Sequence, residues 1–198
     1  MKVILASASP RRKELLKLII PDFEICVSKT KEEIVSGLSP KEQAINLSYM
    51  KAREIYEKTK EDRIIIGSDT MVTKNGKIYG KPKNNEEAKL MIRELIAGDR
   101  IHSVITGLTI LVEKNGEYEE YKTYDETKIY LKDMTDIEIE NWIKTGKALD
   151  KAGAYGIQNE FCVFVDKIVG NYTTVVGLPT HKVYDILKKY MNTEKNEI

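Results

Sequence analysis

Apolar positions recur at two spacings along the chain, and each spacing predicts an element. Residues 2–5 form a short apolar run that breaks at Ala6-Ser7-Ala8-Ser9-Pro10. The run predicts a strand and the break a helix start: Ser9 suits the N-cap, and Pro10 the first helical position, where a missing N–H costs nothing. Leu15, Leu16, Leu18 and Ile19 are expected on the buried side of that helix. A second helix is predicted over 40–58, with Ala44, Ile45, Leu47, Ser48, Ala52 and Ile55 at helical spacing and Lys51 and Arg53 flanking the stripe. Residues 63–67 have the unbroken β-branched character of a strand buried on both faces. Residues 71–74 and 77–79 flank Asn75-Gly76, the strongest short hairpin signal in the chain.

A third helix is predicted over 86–96, with Ala88, Met91, Ile92 and Leu95 inward and Gly98 as its stop. Residues 101–112 and 118–131 read as two long strands joined across Asn115-Gly116. Thr135-Asp136-Ile137-Glu138 is a capping box, with Met134 and Ile139 as its staple, and the helix it opens ends at Gly146. A Gly-rich stretch (Gly153, Gly156) leads to strands expected at 161–165 and 168–176, a last helix at 179–191 and a polar tail at 193–198. No repeat, linker or low-complexity block interrupts this order. Helices alternating with strands and hairpins predict an α/β fold with a mixed sheet.

Composition narrows the function classes. The 198 residues carry 32 basic and 31 acidic side chains, a net charge of +1, and 41% of them are hydrophobic. At roughly 150 residues per domain this is one domain or two small lobes with a proper core. The balance argues against a nucleic-acid coat, while leaving room for a local basic pocket. The longest uncharged run, 168–181, contains Gly, Asn and Thr and falls short of the ~20 apolar residues of a membrane span. Only Val3-Ile4-Leu5 precede the first polar stretch, so no secretory signal is expected and the cytoplasm is the expected location. Cys26 and Cys162 form no C-x-x-C pair and are expected to be buried free thiols. His102 and His181 are the only histidines. Any metal is therefore expected to be a hard cation held by oxygen rather than zinc.

Four segments carry candidate chemistry. In Ser7-Ala8-Ser9-Pro10-Arg11-Arg12, a strand running into a helix presents free N–H groups and the positive dipole end, which bind phosphate. Ser7 and Ser9 add hydroxyls, and Arg11 and Arg12 add fork-shaped charged donors. The plainer alternative is a capped surface helix with two solvated arginines. In Gly67-Ser68-Asp69-Thr70, Asp69 is expected just past a buried strand, at the sheet edge where α/β proteins place ligands. Such a carboxylate holds Mg²⁺ or activates water, unless it only satisfies backbone groups in a tight turn. Gly80-Lys81-Pro82 lacks the glycine and hydroxyl residue of a P-loop, so Lys81 either faces a phosphate or is an exposed turn lysine. In the stretch from Asp150 to Gln158, Gly153 and Gly156 allow a ligand close to the backbone. Gln158 offers an amide donor beside an acceptor, matching the imide edge of uracil or thymine, or is an ordinary surface glutamine. Glu32-Glu33 taken alone reads as a solvated pair.

Taken in order, Ser7-x-Ser9-Pro10-Arg11-Arg12, Asp69-Thr70, Gly80-Lys81-Pro82, Thr106-Gly107-Leu108 after His102-Ser103-Val104, and Asp150-Lys151-Ala152-Gly153-Ala154-Tyr155-Gly156-Ile157-Gln158 resemble the Maf family of nucleoside triphosphate pyrophosphatases. The resemblance covers nearly the whole chain. It implies the Maf/inosine-triphosphatase-like α/β fold, a single domain over 1–198 whose two lobes share a long bent mixed sheet around a central cleft. The fourth motif looks like the subgroup that hydrolyses dTTP and UTP to the monophosphate and pyrophosphate, a housecleaning of nucleotide pools. By this resemblance Asp69 is the proton acceptor, and Arg11, Thr70 and Gln158 select the substrate. Ser7, Arg12, Glu33, Lys51 and Lys81 would line the phosphate and metal region. Mg²⁺ or Mn²⁺ would be held by Asp69 and Glu33, and Ser9 would complete the cradle. Ser68 stands where many members carry Ala. The same chemistry on modified purine or pyrimidine triphosphates, and a non-enzymatic role in septum regulation, are the alternatives. A homodimer is admitted by the family alone, and neither a nucleic-acid nor a membrane partner is expected.

Overall fold

In the computed structural model, residues 1–59 and 62–191 are described; the polar tail expected at 193–198 lies outside the described residues. The strands are β1 (Lys2–Leu5), β2 (Glu24–Ile25), β3 (Arg63–Lys74), β4 (Lys77–Tyr79), β5 (Ile101–Lys114), β6 (Glu117–Leu131) and β7 (Val165–Val169). The helices are α1 (Pro10–Lys17), α2 (Pro40–Lys58), α3 (Asn85–Ile96), α4 (Asp136–Lys144), α5 (Tyr172–Val176) and α6 (Thr180–Met191). The strands form one mixed sheet in the order β2-β1-β3-β5-β6-β7, with β4 paired to β3. β1 runs parallel to β2 and β3, whereas β3, β5, β6 and β7 are successively antiparallel.

The expected break at Ser68-Asp69-Thr70 does not occur. β3 passes straight through it, paired to β5 from Arg63↔Glu113 to Thr73↔Ser103. Turn-forming side chains lose to an uninterrupted ladder on a long antiparallel partner. The other side of β3 is incomplete. β1 pairs with it only as far as Leu5↔Ile66, and β4 joins from Val72↔Tyr79. Residues 67–71 therefore face an opening in the sheet, and Asp69 sits in mid-strand but at a local edge.

Helix α2 covers one face of the sheet, over Ile4, Ile65 and Leu111 at one end and Met71 and Ile105 at the other. It lies unusually close. A Cβ on Gly67 would stand 2.2 Å from the Ser48 carbonyl oxygen, and one on Gly107 would stand 2.1 Å from that of Ala44. The opposite face carries the larger core, with Leu16, Ile66, Leu108, Ile92, Trp142 and Phe161 among its members.

Three local expectations are corrected. Leu18 is 76% exposed, because α1 stops at Lys17 and helical spacing no longer governs it. Residues 160–164 form a 3-10 turn rather than a strand, started by Asn159, whose side chain accepts from the Phe161 N–H. β7 then spans Val165–Val169, and 172–176 is helical after Gly170, whose φ of 131° breaks the strand. The thiols also differ from expectation: Cys26 is half-buried and Cys162 exposed.

Two buried hydrogen bonds fix the Gly-rich segment beside the sheet opening. His102 on β5 meets the Tyr155 hydroxyl at 2.5 Å, and the Trp142 indole donates to the Ala154 carbonyl at 2.9 Å. Burial, reinforced by the field of Lys74, pushes His102 down to about 3 from 6.5. Its folded state is thus neutral, while the unfolded chain takes up a proton below pH 6.5. Stability is fully present above pH 6.5 and drains away toward pH 3 as the pH falls. Between pH 7 and pH 5 this single group is expected to cost about 2 kcal/mol of unfolding free energy. His102→Gln should remove that part of the slope, as read from urea unfolding at the two pH values.

Candidate active site

The opening beside β3 is lined from three directions. The chain leaving β1 turns into α1, where Ser9 caps the helix by accepting from the Arg12 N–H. Ser7 Oγ accepts from the Ser9 N–H and from Arg12 Nη1, both at 3.2 Å. Arg12 also donates from Nε to the Gly177 carbonyl at 2.8 Å and from Nη2 to Thr70 Oγ1 at 3.1 Å. These acceptors are all neutral, so the guanidinium is held rigidly without being neutralised. Burial lowers its pKa, and Asp69 and Glu32 oppose that shift. Thr70 in turn meets Thr106 across the ladder, and Thr106 donates to the Thr174 carbonyl of α5.

Alternation along β3 points Asp69 to the α2 face and Thr70 to the α5 face. On the α2 side, Lys51 is buried at 7% exposure, and its Nζ donates to Asp69 Oδ1 at 2.5 Å and to Glu32 Oε1 at 2.6 Å. Lys51 therefore does not flank the stripe of α2, as expected, but belongs to it. Burial pushes the Asp69 carboxyl above its ordinary range, with Lys51 and Arg12 pulling back only part of the shift. Glu32 behaves oppositely. Its partial burial disfavours charge, but hydrogen bonding and attraction from Lys51, with Lys81 and Arg12 behind it, hold the pKa down.

The resulting cavity measures ≈ 360 Å³. Ser9, Arg11, Arg12, Lys51, Asp69, Thr70, Lys81 and Gln158 all line it, and Ser7 lines the adjoining recess at the start of α1. One end is charged. The other is walled by Val72, Val104, Tyr155, Ile157 and Val176, with Gln158 and Asn159 beside them. Glu33 is the exception among the expected residues: it lines neither recess and is exposed, and its backbone is what is engaged, the carbonyl accepting from Gln43 Nε2 at 2.7 Å and the N–H donating to the Lys31 carbonyl at 3.1 Å. Glu32 takes its place. The two are adjacent in a loop without regular structure, where no periodicity says which one turns inward.

Other lining groups carried little signal. Asp150 and Lys151 belong to the fourth motif without a role expected of them, and Asp150 Oδ2 accepts from Arg11 at 3.4 Å across the mouth. The Gly177 carbonyl, which holds Arg12, is invisible to side-chain reasoning. Ser68 does not touch Asp69's face: its hydroxyl lies within 3.1 Å of the Gly107 carbonyl and 3.0 Å of the Gly177 carbonyl. Among the described residues no group of three His, Cys, Asp or Glu side chains gathers to hold a metal by itself. Asp69 and Glu32 do supply two hard carboxylates at one point, a set that suits Mg²⁺ or Mn²⁺ once further oxygen ligands join them.

The chain is similar to curated proteins over nearly its whole length. A dTTP/UTP pyrophosphatase of Thermoanaerobacter sp. (strain X514) is 45% identical over 189 residues, covering 96% of each chain. A dTTP/UTP pyrophosphatase of Alkaliphilus metalliredigens is 46% identical over 193 residues, covering 96% of this chain and 97% of its own. Among solved structures, a HAM1 protein from Coxiella burnetii matches 96% of this chain and 99% of its own at 12% identity and a TM-score of 0.49. The family model for Maf-like proteins matches residues 2–190, so this chain belongs to the Maf family.

Proposed function

We propose that this protein hydrolyses dTTP and UTP to the nucleoside monophosphate and pyrophosphate with the help of Mg²⁺ or Mn²⁺. The observation that carries this is the buried Asp69 facing Lys51 and Arg12 at the charged end of a cavity whose other end is apolar. That layout matches a triphosphate at one end and a base at the other. The relatives at 45–46% identity, named as dTTP/UTP pyrophosphatases, support the same reading.

The triphosphate enters along the start of α1, where Ser7, Ser9, Arg11 and Lys81 bind its oxygens and Arg12 lies behind them. Asp69 takes a proton from a water whose oxygen attacks the α-phosphorus. The bond from that phosphorus to the α,β-bridging oxygen breaks, and the electron pair leaves with pyrophosphate. Arg11, Arg12, Lys51 and Lys81 stabilise the charge that grows on the leaving group. Asp69 and Glu32 would hold the divalent cation together with phosphate oxygens, and the cation would supply additional neutralisation of those oxygens. No covalent intermediate is required. The reaction needs neither a membrane nor a nucleic acid, and no helix among the described residues is long and apolar enough to cross a membrane. The cytoplasm is the setting that fits.

A panel of nucleoside triphosphates with Mg²⁺ and Mn²⁺ tests this. Pyrophosphate release, greatest with dTTP and UTP, is the expected result; orthophosphate release, or no turnover of any nucleotide, overturns it. The pH dependence follows from Asp69. Only its ionised form accepts a proton, so kcat/KM should rise with pH through a pKa above the ordinary carboxylate value of 3.8. A profile flat down to pH 4 would contradict its role as base. Gln158 is exposed and lines the cavity, and in this reading its amide pairs with the imide edge of the base. Gln158→Ala is expected to reduce the preference for dTTP and UTP over dCTP by about tenfold, a loss of ~1.4 kcal/mol of discrimination. An unchanged preference removes Gln158 from base selection.

A further inference from the structure

We infer that Lys51 reserves the Asp69 and Glu32 carboxylates, so that the free protein binds no divalent cation and the metal enters only as a metal–nucleotide complex. The inference rests on the pyrophosphatase reading above and deepens it. Lys51 Nζ bonds Asp69 at 2.5 Å and Glu32 at 2.6 Å at once, and no third acidic, His or Cys side chain joins them among the described residues. The pairing is not a chance surface contact. α2 is pressed against β3 at Gly67, where even a Cβ would meet the Ser48 carbonyl oxygen at 2.2 Å, so Lys51 is delivered to Asp69 by backbone packing.

The surrounding charge points the same way. Arg12 acts electrostatically on both carboxylates, and Lys81 acts on Glu32 as well. Asp150, the third carboxylate of the cavity, is already shared by Arg11 and Lys151. A free dication thus approaches a cavity in which cationic side chains outnumber acidic ones, and it must expel a buried ammonium from two charge-assisted bonds. A triphosphate changes that balance. Its anionic oxygens give Lys51 new acceptors and complete a cation's oxygen shell, in the manner of Mg²⁺ sites built on one or two carboxylates plus substrate phosphates.

The test is electron paramagnetic resonance of Mn²⁺ titrated into the full chain, with and without the non-hydrolysable α,β-imido analogue of dUTP. Without the analogue, the free Mn²⁺ signal should match buffer. With it, one Mn²⁺ per chain should disappear beyond what the analogue binds in solution. Lys51→Met keeps the stem and removes the ammonium, and should gain affinity for Mn²⁺ alone by at least about tenfold. Wild-type protein that binds Mn²⁺ alone within about tenfold of its affinity in the ternary complex overturns the inference. So does a folded Lys51→Met protein that gains none. Should that variant not fold, the wild-type comparison decides. Failure of the analogue to bind at all, read by calorimetry, is a separate outcome that overturns the pyrophosphatase reading and this inference together.

Discussion

Asp69→Asn is expected to lower kcat by about 10²-fold or more while leaving the folded protein as stable as before, or more so. The two halves of this expectation come from the same burial. Asp69 is 6% exposed, and its pKa lies above the ordinary value because desolvation outweighs the attraction of Lys51 and Arg12. Ionised Asp69 is therefore a net cost to the fold at neutral pH, and the amide relieves it. The substitution also strands no buried charge, since Lys51 keeps its bond to Glu32 at 2.6 Å. A variant with an unchanged or raised melting temperature and little turnover would mark Asp69 as a group kept for chemistry at the expense of stability. Near-normal turnover would refute its assignment as base. Equal losses of turnover and stability would make it structural. Loss of the acid limb in the variant's pH profile would tie that limb to the same carboxylate.

The elements around the cleft were legible in the chain where their ends carry strong local signals. Ser9-Pro10 fixes the start of α1, and Asn75-Gly76, with φ of 52° and 78°, fixes the hairpin beside the opening. Thr135 with Glu138 closes the expected capping box on α4. The failures also have physical causes. Turn-forming side chains at 68–70 suggested an interruption, but strand pairing over eleven positions of β3 and β5 is decided by a partner far along the chain. Glu32 rather than Glu33 reaches the cleft because two α2 side chains fasten the loop that carries it. Glu54 Oε2 accepts from Ser28, Lys29 and Thr30, and Gln43 bonds the backbone of Glu33 and Val35. Such tertiary fastening leaves no periodicity to read. The clearest gain from structure concerns Thr106-Gly107-Leu108, which earned notice only by resemblance. In the register, Gly107 lies directly opposite Asp69, beneath the backbone of α2.

Gly107→Ala is accordingly expected to be among the most damaging single substitutions outside the charged end of the cleft. Its new Cβ would lie 2.1 Å from the Ala44 carbonyl oxygen and 2.7 Å from the Ile45 nitrogen, both backbone atoms that no rotamer change can move. Either α2 lifts off the sheet or β5 retreats from β3. Overpacking of this kind costs about 1–3 kcal/mol and at times more. Gly67→Ala, with the Ser48 carbonyl oxygen at 2.2 Å, should act alike, because both glycines seat the same helix. Loss of stability alone would make them ordinary packing residues. The distinctive expectation is functional: α2 carries Lys51, so even a folded Gly107→Ala protein should lose the close contact between Lys51 and Asp69. Well below its unfolding temperature it should show a kcat reduced by about tenfold or more, with the substrate range unchanged. Urea unfolding and turnover measured on the same preparation separate the two effects. A variant that is destabilised yet turns over at the wild-type rate would show that the seating of α2 serves the fold and not the site.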